Sequence, residues 1–207
     1  MVSIPQPRLS WLNLNINKIT SFADFGGHDE IVTLLLAENR LQNCAGISAL
    51  PKLQELNLSG NKINTVADLQ GLGALKKLDL SKNKLQDLKD FPCMPALETL
   101  DLQENAIEKD GEAALMCLTE QESLRTLLMQ GNAWVDDKGD EFKKEVLIAL
   151  DMLSIKQIND MEEVNDEDLQ DAKETKIQRE KDRLEAEEEA RRLAEEAKNN
   201  PEGEEAE

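Results

Sequence analysis

The stretch that decides the fold is Leu53-Gln54-Glu55-Leu56-Asn57-Leu58-Ser59-Gly60-Asn61-Lys62-Ile63. Its centre, Leu56-x-Leu58, alternates apolar and polar residues, the pattern of a short strand with one buried face. Asn61 then turns the chain out of the strand. An amide carries two donors and an acceptor, so it can serve backbone groups that the turn leaves unpaired and that would be costly once buried. The phrase recurs upstream as Leu9, Leu12, Leu14, Asn17, Ile19 and as Ile31, Leu34, Leu36, Asn39, Leu41. Downstream it returns as Leu75, Leu78, Leu80, Asn83, Leu85 and as Leu97, Leu100, Leu102, Asn105, Ile107. A sixth, looser copy is Leu124, Leu127, Met129, Asn132, Trp134. The asparagines follow one another at 22, 22, 22, 22 and 27 residues. No single copy can bury its own face, so the copies must stack, with strands parallel and asparagines in a ladder.

Three further apolar columns lie between the phrases: Phe22, Cys44, Val66, Leu88; Phe25, Ile47, Leu69, Phe91; and His28, Leu50, Leu72, Met94. They are expected in short helical or 3₁₀ turns on the convex side, closing the core against the strands. Apolar residues make up 40% of the 207 but aromatics only 3%, with no Tyr, so this core is aliphatic. The predicted class is α/β: a solenoid with a curved parallel sheet and short convex helical turns.

Two departures mark the end of the array. The fifth connection is longer, and Gly111–Leu118 reads as a helix with Leu115 and Leu118 inward. Beyond Trp134, Phe142, Val146, Leu150 and Leu153 fall at helical spacing. A helix over 139–153 is predicted across the open end, as a cap, because an end repeat otherwise exposes its core. At the other end, Trp11, Pro5 and Pro7 must cover the first repeat, or a partner must. The domain boundaries that follow are 1–160 for six repeats and cap, and 161–207 for a charged tail.

The tail is rich in Glu, Lys, Arg and Ala, and residues 167–198 contain neither Gly nor Pro. A long helix is expected, with i,i+4 pairs such as Glu187–Arg191 and Glu188–Arg192. Its large apolar residues, Leu169, Ile177, Leu184 and Leu193, are sparse, and only Ile177 and Leu184 are seven apart. A solvated single helix fits that missing pattern better than a coiled-coil seam. The other reading is a helix that packs on a partner. Pro201 ends it, and Glu202–Glu207 reads as disordered.

The net charge is −19, and residues 161–207 contribute 19 acidic and 8 basic side chains. Such a balance disfavours nucleic acid and anionic membrane, whose binding relies on Lys and Arg. Basic or mixed protein surfaces are the expected partners. Three scattered cysteines form no CxxC pair, so neither zinc nor a disulfide framework is indicated. Met1–Leu9 lacks a basic stretch followed by an apolar one, so no secretory leader is expected. The chain reads as cytoplasmic.

No catalytic set assembles from these residues. His28 is the single histidine and sits in a convex column, and acid–base work needs an oriented partner in a pocket. Neither GxxxxGK(S/T) nor GxGxxG occurs. Asp136, Asp137, Asp140 and Glu141 cluster in a predicted loop whose spacing fails the calcium-loop pattern. No cofactor, metal or small-molecule substrate is expected. The informative surface is the concave sheet, formed by the x positions of each phrase. Trp11, Leu35, Asn57, Lys77, Asp79, Asp101 and Leu128 are its candidate partner-binding residues. Leu35 and Leu128 are apolar where water is expected. Trp11 reads either as a binding anchor or as cover for the N-terminal end.

The 22-residue phrase, with connections such as Gly46-Ile47-Ser48-Ala49-Leu50-Pro51-Lys52-Leu53, resembles the short leucine-rich-repeat class. That class includes a regulatory subunit of protein phosphatase 1, an axonemal dynein light chain and the acidic nuclear phosphoproteins. Its C-terminal cap usually reads GNP, an aromatic–Arg pair and an LPxLxxLD ending. Here Gly131-Asn132-Ala133, Phe142-Lys143 and Ile155-x-x-Ile158-Asn159-Asp160 stand in those places. Array, cap and mixed-charge helix together look most like leucine-rich-repeat proteins of the ciliary axoneme, especially the radial spokes. The resemblance implies a scaffold within a large cytoskeletal assembly. The alternative it leaves open is a soluble regulatory module.

Overall fold

The computed structural model describes residues 8–25, 28–108, 111–159 and 163–199, with backbone alone at 111–112 and 196–199. The expectations for Pro5, Pro7, Asp160, Pro201 and Glu202–Glu207 lie outside the described residues.

The six phrases become six strands: β1 (Trp11–Asn13), β2 (Thr33–Leu35), β3 (Glu55–Asn57), β4 (Lys77–Asp79), β5 (Thr99–Asp101) and β6 (Thr126–Leu128). A seventh, β7 (Gln157–Ile158), comes from the cap. All seven pair in parallel and in chain order. The register never slips, so Leu12, Leu34, Leu56, Leu78, Leu100, Leu127 and Ile158 stand side by side on the core face. From Leu34 to Ile158 that column is sealed from solvent.

The asparagine ladder forms as its chemistry requires. The Asn61 amide donates to the carbonyls of Leu36 (3.0 Å), Leu58 (2.9 Å) and Ser59 (3.2 Å), and its Oδ1 accepts the Leu41 N–H at 3.0 Å. Asn39, Asn83 and Asn105 repeat the set one repeat apart. Asn132 keeps its donations to Leu102 and Met129 and accepts from Ile107. Each such bond contributes about 1 kcal/mol, and an orphaned buried group would cost about 1–3 kcal/mol.

To aim the amide inward, the residue before it adopts left-handed backbone. Ile16, Glu38, Gly60, Lys82, Glu104 and Gly131 lie at φ 55, 54, 65, 55, 51 and 72°. Only two of the six are glycine. A different constraint holds Gly46 at φ 91°. A Cβ there would stand 2.3 Å from the Phe22 carbonyl oxygen, so the first two repeats meet at this glycine.

The convex columns are buried, with two members less completely so: Phe25 is half-covered and Phe91 remains 8% exposed. They ride on 3₁₀ turns at Ile47–Ala49 and Ala67–Leu69 and on α1 (Gly111–Met116), which turns Leu115 and Leu118 inward. His28 is core: its ring stacks on Phe25 at 4.4 Å, and Phe25 meets Phe22 at 4.2 Å. Cys44 is a sealed hydrophobe, its thiol pushed up to about 12 by burial and secondarily by Asp68.

The cap differs from the continuous helix expected over 139–153. The chain makes α2 (Ala133–Lys138), a 3₁₀ turn at Gly139–Glu141 and α3 (Phe142–Ala149). Gly139, at φ 52° and ψ −128°, occupies backbone space closed to other residues and breaks the helix. Asp136 and Asp137 therefore sit on a helix rather than in a loop, and Asp140 and Glu141 in the 3₁₀ turn. Phe142, Val146 and Leu150 face inward, and Trp134 meets Phe142 edge-on at 5.3 Å. Leu150 already leaves helical backbone, which frees Gln157 and Ile158 to join the sheet and Ile155 to be buried beside it.

The tail is α4 (Asp166–Asn199). Its first half is not a solvated rod but packs on the cap. Ala172 is buried, and ion pairs join Lys143 to Asp168 (2.6 Å), Lys144 to Asp171 (2.7 Å) and Asp151 to Lys176 (2.7 Å). Further along, Arg191 pairs with Glu195 and Arg183 with Glu187, in place of the expected Glu187–Arg191 pair, and Arg192 reaches Glu189. Ile177, Leu184 and Leu193 stay exposed.

Candidate concave binding face

The outward positions of the strands form two columns. One runs Trp11, Thr33, Glu55, Lys77, Thr99, Thr126, Gln157, and the other runs Asn13, Leu35, Asn57, Asp79, Asp101, Leu128. All seven candidate residues thus share one sheet face. Trp11 and Lys77 belong to the first column, and Leu35, Asn57, Asp79, Asp101 and Leu128 to the second. Parallel strands lie about 4.8 Å apart. Asp79 and Asp101 are therefore immediate neighbours, while Leu35 and Leu128 stand four strands, about 19 Å, apart.

Several of these side chains also hold the fold. Asn57 Oδ1 accepts from the Ser59 N–H (2.9 Å) and hydroxyl (2.7 Å), and Asp79 Oδ1 accepts from the Ser81 N–H (3.0 Å) and hydroxyl (2.7 Å). Asp101 Oδ1 accepts the Gln103 N–H at 2.9 Å. These are Asx turns that lead each strand into its ladder asparagine. An Asn or Asp two residues before Ser59, Ser81 or Gln103 signals them in the sequence, where these side chains read only as facing solvent. Leu35 and Leu128 are half-buried, Lys77 is exposed, and Trp11 is 55% exposed. Apolar groups therefore flank a polar, acidic middle. Such a face offers a polypeptide hydrogen-bond acceptors and two greasy contacts.

Two buried polar residues escape a reading by periodicity. Gln121 is sealed within the long fifth connection. Its Oε1 accepts the Met94 N–H at 2.8 Å, and its Nε2 donates to the Pro92 carbonyl at 3.2 Å. Glu145, 5% exposed on α3, receives a two-pronged pair from Arg179 of α4 at 2.8 and 2.9 Å, with Lys138 at 3.6 Å. Those Arg179 hydrogen bonds, opposed by burial and aided by the charges of Arg179 and Lys138, hold its carboxyl below the ordinary Glu value. A glutamate on the inward face of a cap helix is the signal that a cation must come from elsewhere. Cys93 is exposed, and the half-buried Cys117 thiol is pushed up by burial and by Asp87 and Asp90.

The class defined by this architecture is the leucine-rich-repeat solenoid. Residues 30–85 match a family model described as leucine rich repeat, and residues 74–111 match one of two leucine rich repeat copies. No curated protein sequence matches the chain. Among solved structures, it is similar to two internalins of Listeria monocytogenes. For inlF the identity is 18% and the TM-score 0.58, over 72% of this chain and 40% of that one. For inlC2 they are 23% and 0.57, over 73% and 64%. The chain thus spans less than two thirds of either internalin. A chain of the Drosophila melanogaster SNF/U2A′ complex shows 20% identity and a TM-score of 0.51, over 79% of both chains. Proteins with such repeats typically act by binding other proteins. Among the described residues, no helix is long and apolar enough to cross a membrane.

Proposed function

We propose that this protein is a non-catalytic scaffold that holds other proteins through its concave face and its charged helix. The observation that carries the reading is the unbroken register of outward side chains. Seven strands present one continuous strip, with Leu35 and Leu128 at either side of Asn57, Asp79 and Asp101. A strip of that length suits an extended or helical segment of another protein better than a small molecule. The order of array, cap and mixed-charge helix supports a place in a ciliary or flagellar axonemal complex, such as a radial spoke. There the concave face and the exposed end of α4 grip different subunits. Retention of the protein in a salt-resistant axonemal fraction tests this, with loss of retention expected when Trp11, Leu35 and Leu128 are replaced by Ala. Retention unchanged by that triple replacement moves the site off the concave face.

A second reading is a soluble regulatory or adaptor module, of a phosphatase or a nuclear factor. It is favoured by the match over 79% of both chains to a component of the SNF/U2A′ complex. Recovery of the protein in a stable soluble complex, rather than in the axonemal fraction, selects this reading.

A further inference from the structure

In the second outward column the fold asks for one kind of side chain. Asn13, Asn57, Asp79 and Asp101 each accept on Oδ1 the N–H two residues on, at 2.9, 2.9, 3.0 and 2.9 Å. The neutral amide of Asn57 makes this turn as well as either carboxylate does. It also takes the Ser59 hydroxyl at 2.7 Å, as Asp79 takes that of Ser81. The turn therefore requires an oxygen and not a charge. Yet β4 and β5 carry Asp79 and Asp101 abreast, as register partners. On strands about 4.8 Å apart, two like charges repel. Leu35 and Leu128 depart from the column in another direction. A leucine cannot make the turn at all, and both side chains stay partly open to solvent. Neither departure serves the fold.

The order along the strip is Leu35, Asn57, Asp79, Asp101, Leu128, one residue per strand. In the first column Lys77 stands abreast of Glu55, so that column is neutral and the net negative charge lies in the second. The step of about 4.8 Å from strand to strand suits a helix laid across the sheet better than an extended chain. Residues three or four apart on one helix face advance about 5 Å, whereas alternate residues of an extended chain advance about 6.7 Å. A helix of about 14 residues spans the distance from Leu35 to Leu128 with about 2 Å to spare.

We infer that the concave strip binds an amphipathic helix of a partner protein, one that sets two basic residues between two apolar ones. The apolar residues lie about 14 apart and rest on Leu35 and Leu128, and the basic ones follow the first by about 7 and 10 residues and face Asp79 and Asp101. The two cations offset the repulsion between the carboxylates, and the anchors give the leucines the cover they lack. Helix recognition in a groove reads spaced anchors of this kind. The inference rests on the proposed reading of the strip as the partner-binding face and adds the chemistry of what it holds. Residues 1–7 and 200–207, which lie outside the described residues, contain neither Lys nor Arg and cannot supply this helix. In α4, Lys176 and Arg179 have the required spacing but are held by Asp151 and Glu145.

The probe is a synthetic alanine-based peptide, cross-linked into a helix and dye-labelled, with leucines about 14 apart and Lys and Arg about 7 and 10 residues after the first. Titrated with the full chain, it is expected to show a saturable rise in anisotropy that weakens as salt is added. A peptide with Glu at both basic positions is expected not to bind. Asp79→Asn with Asp101→Asn keeps both turns, so the melting transition should hold or rise while binding weakens about fivefold. Leu35→Ala with Leu128→Ala should weaken binding about tenfold. Absence of saturable binding, equal binding of the Glu peptide, or unchanged binding by the double Asn variant overturns the inference. A lowered melting transition in that variant also overturns it, by assigning the carboxylates to the fold. The scaffold reading survives any of these results if axonemal retention is still lost when Trp11, Leu35 and Leu128 are replaced, so the two failures are told apart.

Discussion

The first and last layers of the array solve the same problem in opposite ways. At the C-terminal end Ile158 and Asn159 are sealed, β7 completes the sheet, and Glu163 bridges back to Gln157. Outside that layer, α3 buries Phe142, Val146 and Leu150, and α4 locks onto α3 through Arg179 and Glu145. At the N-terminal end the same column of leucines is half-covered and Asn17 is exposed. The contrast teaches that an interior repeat owes its stability to both neighbours. Remove one neighbour and the same residues in the same backbone contribute less. Identical substitutions made at the two ends should therefore have unequal effects.

The largest inequality is expected between Phe142→Ala and Leu14→Ala. Phe142 is sealed between Trp134 and the core. Truncating such a side chain leaves a cavity and costs about 3–5 kcal/mol. Leu14 already touches water, so its truncation should cost under about 2 kcal/mol. Urea unfolding of the two variants measures both. Equal losses would mean that the N-terminal layer is as closed as the C-terminal one.

The ladder gives the next comparison. Asn61→Ala orphans the buried Leu41 N–H and removes one of two donors from each of the Leu36, Leu58 and Ser59 carbonyls, an expected loss of about 1–3 kcal/mol. Asn17→Ala exposes its two carbonyls to water and should cost under about 1 kcal/mol. A ladder that behaved uniformly would show the same midpoint shift for both.

Among the described residues, the lock between α3 and α4 has no counterpart at the N-terminal end. Arg179→Ala leaves the buried Glu145 carboxylate with Lys138 alone. Losing one member of a buried pair costs about 3–5 kcal/mol when both are sealed. Arg179 is half-exposed, so about 1–2 kcal/mol is expected. The pH dependence has a definite sign. Glu145 is held below its ordinary value of 4.5, so its contribution is complete above pH 4.5 and disappears as pH falls through the lowered folded value. The wild-type chain should lose stability in that acid window, and Arg179→Ala should lose less there. An unchanged acid slope would remove Glu145 from the account of how the tail is fastened.

These unequal ends also mark how far the sequence can be read. The period of 22 places β1 to β5 and their ladder asparagines, and the looser sixth phrase places β6 and Asn132, because one physical rule, burial of an aliphatic face by stacking, repeats with it; β7 falls outside the period, and its residues read only as the end of the cap. The seven concave candidates fall on one face for the same reason, since side chains alternate along any strand. Periodicity is silent where a contact is made once. Gly139 ends α2 through backbone angles that no spacing reveals, and the helix expected over 139–153 is α-helical only from Phe142 to Ala149. Glu145 meets Arg179 across 34 residues, and the sparse apolar pattern of α4 gives no sign that Ala172 is its buried contact. The left-handed column is hidden as well, because Glu, Lys and Ile occupy it as readily as Gly.

That column supplies the smallest effect and the sharpest use of the comparison. Left-handed backbone costs a residue with a Cβ about 1–2 kcal/mol, and glycine escapes the cost while losing about 0.5–1 kcal/mol more chain entropy on folding. Lys82→Gly, inside the array at φ 55°, should therefore gain only a few tenths of a kcal/mol by these opposing terms. It also gives up an exposed 3.4 Å ion pair to Glu104 worth little. Ile16→Gly, at the same φ on the open end, should gain more, about 1 kcal/mol, because a branched side chain is the worst tenant of that conformation. Thermal melts of the two variants read the difference. A gain in stability at Ile16 would show that this side chain holds its conformation at a cost to the fold. A loss of stability would mean that Ile16 is held by packing within its own repeat, and the open end would then be less open than its exposed side chains indicate.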